Sequence, residues 1–300
     1  MSTETVPARG SLFMNAGSRR GQQWCEPAIA ALRATGFELI ESKTCQKVDQ
    51  LKRGVKSAID RGDPLVIVGG GDGTLSAVTP YFLESETIMG VMPLGTGNSF
   101  ARDLQIPSQV EAAAHIIRDG KVREIDVSQS GDRMFLNVAS VGLTTQIALA
   151  LTGDQKRILG RAAYLIALVK GLARLKKFRC KLTVDGSPHE FTALQVVIGN
   201  GRYHAGPFPV SPNAQITDGR LNIYAITGEQ KSALFRAALR LPGGKHVDLN
   251  EVPVYSGQTC RLETWPPRKV NLDGEIIGRT PKEFKVLPGA LRCVVPADFA

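Results

Sequence analysis

The chain has 300 residues, 43% of them hydrophobic, enough for about two domains with cores of their own and incompatible with a disordered or fibrous protein. With 37 Lys and Arg against 28 Asp and Glu, the net charge of +9 suits anionic partners: nucleic acid, anionic lipid or phosphorylated small molecules. No apolar run approaches the roughly 18 to 20 residues of a membrane span; the best, residues 162–169, stops at Lys170.

The first 128 residues alternate as a βα-repeating sheet does. Residues 11–14 form a short apolar run, residues 22–35 carry Ala28, Ile29 and Leu32 at helical spacing, and residues 37–42 read as a strand. The pattern repeats with a helix over 46–61 (Leu51, Val55, Ala58, Ile59), an apolar strand over 65–68 and a helix over 75–83. A strand over 88–92 ends in Pro93-Leu94-Gly95-Thr96-Gly97-Asn98, and residues 99–104 and 110–119 look helical. This predicts an α/β N-terminal domain with a doubly wound parallel sheet. From about residue 122 the texture becomes apolar runs separated by turn signals: 122–127, 134–138, 182–184, 192–198, 221–226, 261–263, 269–272, 284–286 and 291–295. A mainly antiparallel β-sandwich C-terminal domain is expected, with helices over 161–175 (Leu165, Leu168, Leu172, Leu175) and 231–241. The domains are expected at 1–128 and 129–300, the final residues returning to the first.

The five cysteines, Cys25, Cys45, Cys180, Cys260 and Cys293, show no CxxC pair and no histidine at ligand spacing, so they read as ordinary reduced thiols. Met1 to Gly10 contain no apolar stretch of signal-peptide length, and a cytoplasmic protein is expected.

The strongest local signal is Gly69-Gly70-Gly71-Asp72-Gly73-Thr74, between the strand over 65–68 and the following helix. Ligands of open α/β sheets bind outside the carboxyl ends of strands. Glycines there let the backbone approach an anion and aim N–H groups at phosphate oxygens, and the helix N-terminus adds its positive dipole. A carboxylate in such a cradle repels phosphate unless a cation intervenes, so Asp72 suggests Mg2+. The alternative is a tight strand-to-helix turn. The P-loop and the GxGxxG dinucleotide fingerprint are both missing. A second loop, Gly95-Thr96-Gly97-Asn98-Ser99-Phe100-Ala101-Arg102, stands at the end of the next strand. Together the two loops predict a nucleotide site, to which Arg102 adds charge.

These residues resemble the diacylglycerol-kinase catalytic fold of bacterial soluble lipid kinases, sphingosine kinases and ceramide kinases. Gly70-Gly71-Asp72-Gly73-Thr74 looks like the family's GGDGT signature, and residues 93–102 look like its PxGTxNDFAR loop. Asn15-Ala16-Gly17-Ser18 sits where the family has a nucleotide loop after the first strand. Ile125-Asp126-Val127, Phe135 to Ala139, Gly199-Asn200, Pro212-Asn213-Ala214, Asp218-Gly219-Arg220-Leu221 and Asp273-Gly274-Glu275 follow in the family order, so nearly the whole chain is covered.

The resemblance implies that Asn15, Thr44, Gly70, Gly71, Asp72, Gly73, Thr74, Leu75, Ser76, Ala77, Gly95, Thr96 and Asn98 contact ATP. Asp72, Asn98 and Asp126 would organise phosphates and a catalytic Mg2+; Asp273 and Glu275 would take the proton from the acceptor hydroxyl. A structural Mg2+ would lie at Gln215, Asp218 and the Arg220 carbonyl. Without the family, Asp273-Gly274-Glu275 reads more readily as a hairpin turn, and Asp218-Gly219 as a turn. Departures are Ser76-Ala77 where the family often has Asn-Glu, Ser99 and Thr144 where it often has Asp, and no proline in the first loop.

Residues 156–181 hold nine basic residues and no acidic one. With Tyr164, Leu165, Leu168, Leu172 and Leu175 among the cations, this stretch suits an anionic bilayer, or else a packed helix with solvated charges. The expected function is Mg2+-dependent, ATP-dependent phosphorylation of the hydroxyl of a diacylglycerol-like or sphingoid lipid, in phospholipid metabolism, at the membrane periphery. Alternatives are NAD kinase-like phosphorylation of a soluble acceptor and a non-catalytic nucleotide- or lipid-binding protein. No nucleic-acid partner is expected, since Trp24 and Trp265 lie far along the chain from the basic stretch and no reader motif occurs. A homodimer is among the permitted states.

Overall fold

The structure, a computed structural model, describes residues 5–17, 19–143, 145, 176–204, 208–227, 240, 244–250 and 252–299. The expected helix over 161–175, that over 231–241 apart from Arg240, Thr144 and the basic stretch before Lys176 lie outside the described residues. The chain divides into two compact units, Met1–Val127 with Pro288–Ala300, and Ser128–Leu287.

In the first unit the order is β1 (Arg9–Asn15), α1 (Arg19–Ala34), β2 (Glu38–Cys45), α2 (Val48–Asp60), β3 (Leu65–Gly70), α3 (Asp72–Leu83), β4 (Ile88–Pro93), α4 (Ser99–Asp103), α5 (Val110–Asp119) and β5 (Lys121–Ser130), whose last three residues enter the second unit. The strands β2, β1, β3 and β4 pair in parallel in that order. Every residue of β3 and β4 is buried, as a parallel strand covered on both faces requires. β2, at the edge, alternates instead. The helix α2 buries Leu51, Val55 and Ala58, the i, i+4, i+7 face read from the sequence. One boundary differs instructively: α3 begins at Asp72, so the glycine string ends β3 with Gly69 and Gly70, caps the helix with Gly71 and supplies its first turn from Asp72. An acidic first-turn residue is favoured there by the helix dipole.

The second unit holds β6 (Arg133–Phe135), β7 (Val138–Gly142), β8 (Phe178–Val184), β9 (Ser187–Ala193), β10 (Gln195–Gly199), β11 (Tyr203–His204), β12 (Phe208–Pro209), β13 (Leu221–Ile226), a 3-10 turn at Lys245–Asp248, β14 (Val254–Gly257), β15 (Thr259–Trp265), β16 (Lys269–Leu272) and β17 (Glu275–Arg279). The last strand, β18 (Lys282–Val295), begins in the second unit and from Pro288 belongs to the first, where Cys293 pairs in parallel with Met89 of β4. One antiparallel sheet runs β14-β13-β10-β7-β16-β17. Against it pack β8, β15 and the start of β18, with β9 outermost. Their inner faces share one core, in which Val141, Val196, Ile223 and Val270 meet Leu182, Leu262 and Phe284. This is a β-sandwich.

Four expected strands differ for physical reasons. The run 134–138 is broken at Leu136-Asn137, whose amides leave the ladder for a side chain described below. The run 192–198 is two strands, because the chain changes sheets at Leu194: Ala193 pairs with Phe178, Gln195 with Gly142. The runs 284–286 and 291–295 are parts of one strand that passes through Pro288-Gly289, with Gly289 at φ 60°.

Candidate active site

The nucleotide candidates stand at the carboxyl ends of β1, β2, β3 and β4. Gly71 and Gly95 approach each other backbone to backbone: a Cβ on Gly95 would stand 2.4 Å from Gly71 Cα and 2.5 Å from Asn98 Oδ1. Only glycine allows this approach. Asn98 adopts the left-handed conformation (φ 49°) and ties its own loop, accepting from Gly95 N at 2.9 Å and donating to Gly95 O at 3.0 Å. The loops are also joined by Asp72, whose Oδ1 accepts from Phe100 N at 3.0 Å. Asn15 closes the group: its Nδ2 donates to Thr74 Oγ1 at 2.8 Å and its Oδ1 accepts from Gly17 N at 2.9 Å.

This geometry fits a phosphate chain. The N-cap Gly71 offers no side-chain cap, so the first-turn amides of Asp72 and Gly73 have neither an intrahelical acceptor nor a capping oxygen. A Cβ on Gly73 would meet nothing within 4 Å; this side of the loop is open and exposed. Leu75 is buried, Ser76 and Ala77 are half-buried on α3, Gly70 is buried below the loop, and Thr96 is exposed at the tip of the second loop. Thr44 is exposed on β2 and hydrogen-bonds the Cys25 thiol, which burial pushes above its ordinary pKa. Asp126, 2% exposed on β5, accepts from Gly289 N at 2.8 Å.

The remaining candidates belong to the second unit. Asp273 and Gly274 form the two-residue turn between β16 and β17, both at positive φ (45° and 97°), so the hairpin reading and the motif describe the same residues. The Asp273 carboxylate accepts three consecutive amides: Leu136 N at 2.8 Å, Asn137 N at 3.2 Å and Val138 N at 2.8 Å. Its own N–H donates to Val138 O at 2.9 Å. Glu275, two residues on, is exposed. Asn200 supports the same corner, donating to Leu136 O at 3.1 Å and accepting from Ser128 Oγ at 2.6 Å. Among the described residues nothing donates to the buried Asn137 Oδ1.

Gln215, Asp218 and Arg220 share one turn. Asp218 accepts from Gln215 N at 3.1 Å, Arg220 N at 2.9 Å and Asn222 Nδ2 at 3.1 Å. A carboxylate has about four acceptor positions, so one stays open to a cation. Among the described residues no cluster of three or more His, Cys, Asp or Glu forms a metal cage. Single carboxylates such as Asp72 and Asp218 fit Mg2+ in its usual mode, in which water and substrate phosphate complete the shell. Asn222 and Gly289, partners of Asp218 and Asp126, escape sequence reading; the only signal was the Pro288-Gly289 dipeptide, a turn signature within an apolar run.

Paired glycine loops on a parallel α/β sheet, followed in the chain by a β-sandwich, define a class of small-molecule and lipid kinases. Residues 9–130 match the diacylglycerol kinase catalytic domain, and residues 137–295 match the YegS C-terminal NAD kinase beta sandwich-like domain. The chain belongs to the diacylglycerol-kinase catalytic family, in its YegS group, and is a kinase. It is 32% identical over 296 residues, 96% of each chain, to "Probable lipid kinase YegS" of Salmonella arizonae. It is 31% identical over 299 residues, 98% of each, to the YegS-like protein of Klebsiella pneumoniae. A Bacillus anthracis protein assigned as a diacylglycerol kinase superposes with a TM-score of 0.82 at 25% identity, over 100% of this chain and 99% of that one.

Proposed function

We propose that the protein is a lipid kinase that transfers the γ-phosphate of ATP to the hydroxyl of a diacylglycerol-like or sphingoid lipid, with Mg2+, at an anionic membrane surface. The observation that carries this reading is the backbone contact of Gly71 with Gly95 beside the open face of Gly73. Phosphoryl transfer asks mainly for positioning and charge neutralisation, and a rigid double loop with unsatisfied amides supplies the first. In this reading the Asp72 and Gly73 amides hold phosphate oxygens, Asn15 and Thr74 fix the loop edge, and Asn98 holds the second loop closed. Mg2+ on the phosphates would neutralise their charge, with Asp72 and Asp126 as its carboxylate ligands, and a second ion at Gln215, Asp218 and the Arg220 carbonyl would be structural. In the second unit Asp273 fixes the Leu136–Val138 corner through its three amides. Glu275, exposed and two residues away, takes the proton from the acceptor hydroxyl.

The test is transfer of labelled γ-phosphate in mixed micelles to diacylglycerol, sphingosine, ceramide and phosphatidylglycerol, with NAD as a soluble acceptor. Magnesium-dependent label on one lipid supports the reading and names the acceptor. Label on NAD, or on nothing while ATP binds, refutes it.

A further inference from the structure

One corner of the second unit combines an exposed aromatic wedge with a ring of cations. Trp265, at the end of β15, is 50% exposed, the highest among the large hydrophobic side chains described. Pro266 and Pro267 follow it, also exposed. Opposite Trp265 on β8 stands Arg179. Arg268 fastens a further basic segment here: its Nη2 donates to the carbonyls of Lys177 at 2.9 Å and Lys176 at 3.3 Å, and its guanidinium lies 5.4 Å over the Phe178 ring. Lys269 and Arg279 pair across the adjoining hairpin, and Arg279 Nη1 donates to Pro267 O at 3.1 Å.

Two acids share this face, and one of them, Glu190, lines the same shallow pocket as Arg179 and Trp265. Lys181 stands between Glu190 and Glu263 on the neighbouring strands, and Glu263 also bonds Arg261 at 3.2 Å. Among the described residues, Lys176, Lys177, Arg179, Lys269 and Arg279 have no acidic partner. Their charge is therefore directed to solvent around an apolar tip.

We propose that this corner, formed by Lys176, Lys177, Arg179, Trp265 and its two prolines, Lys269 and Arg279, is a docking surface for an anionic phospholipid bilayer. The proposal rests on the lipid-kinase reading and names the surface that brings the enzyme to its substrate. An indole with an apolar body and a polar N–H suits the headgroup boundary, and the prolines hold it out with little entropy left to lose. Surrounding Lys and Arg draw the surface to anionic lipid, with flexible stems that reach headgroups. A nucleic acid would instead call for a series of exposed aromatic rings on which successive bases stack, and among the described residues of this corner Trp265 is the exposed one.

The experiment uses the full chain carrying Trp24→Phe, so that fluorescence reports Trp265 alone. Vesicles of phosphatidylcholine with about a third phosphatidylglycerol should shift its emission to the blue, and brominated acyl chains should quench it. Pure phosphatidylcholine vesicles should do neither, and raised salt should weaken both effects. In cosedimentation, Trp265→Ser should weaken binding about tenfold, and Lys176→Ser with Lys177→Ser about fivefold for each cation removed. Phosphate transfer to a dispersed short-chain diacylglycerol should stay unchanged in Trp265→Ser. Unshifted Trp265 emission, or wild-type vesicle binding by Trp265→Ser, overturns the proposal. So does a single-stranded oligonucleotide that quenches Trp265 and displaces the vesicles. If Trp265 inserts but no lipid hydroxyl is ever labelled, the lipid-kinase reading falls and the docking surface stands.

Discussion

Gly73→Ala separates fold from function at the glycine loop that opens α3. The new methyl enters space with no neighbour within 4 Å, so it costs nothing in packing. It also replaces a helical glycine in the first turn of α3. Removing that glycine's backbone freedom stabilises by about 0.4–1 kcal/mol, or roughly 1–3 °C in Tm. The methyl fills part of the open side of the loop, where the rest of a phosphate chain held by the Asp72 and Gly73 amides would run. Displacing that chain by about 1 Å costs about 100-fold in kcat/KM. Thermal melting, ATP titration and transfer kinetics on the same preparation read all three effects. A raised Tm with unaltered ATP affinity and kcat/KM would refute the placement of phosphate at this loop.

Gly95→Ala should behave oppositely, since its Cβ meets Gly71 Cα at 2.4 Å; the loops must part, with about 1–3 kcal/mol lost in a denaturant melt and activity down about 100-fold. Glu275→Gln should lower kcat by about 100-fold or more with Tm unchanged, because the side chain is exposed. Asp273→Asn should lower turnover and also destabilise by about 1–3 kcal/mol, since an amide cannot accept all three N–H groups with both arms; a normal Tm would remove its anchoring role. Asp63, 4% exposed, is held below the ordinary carboxyl pKa by Arg61 and further by Ser11, at 2.7 and 2.5 Å. A depressed folded-state pKa contributes stability that is present above about pH 4 and lost as pH falls through the lower folded value. Asp63→Asn should therefore cost about 1–3 kcal/mol at neutral pH, and urea melts should show the gap to wild type closing in that acid window.

The first unit was legible because its signals are local. The face Leu51, Val55, Ala58 and the apolar runs of β3 and β4 declare helix and strand without reference to distant residues. The glycine loops were legible for the same reason, since close backbone approach leaves glycine itself in the string. The second unit was harder. Its outer strands β14 and β17 are largely exposed, so they lack an apolar face to read, and the run through Leu194 hides a change of sheet within one apolar stretch. The anchoring work of Asp273 depends on amides 135 to 137 positions away, which no short pattern encodes.

The split membership of β18 has a consequence for biosynthesis. The first unit is built from Met1–Val127 and Pro288–Ala300, with β18 paired to β4 and β5. Leu291, Cys293, Val294 and Val295 are fully buried there, and Lys121 Nζ donates to Phe299 O at 2.8 Å. The ribosome must therefore translate all of Ser128–Leu287 before this unit can close, a wait on the order of ten seconds at ordinary elongation rates. During that interval the apolar strand β4 presents an open edge. A premature stop anywhere in the second unit would therefore release an α/β half that still exposes its own core strand.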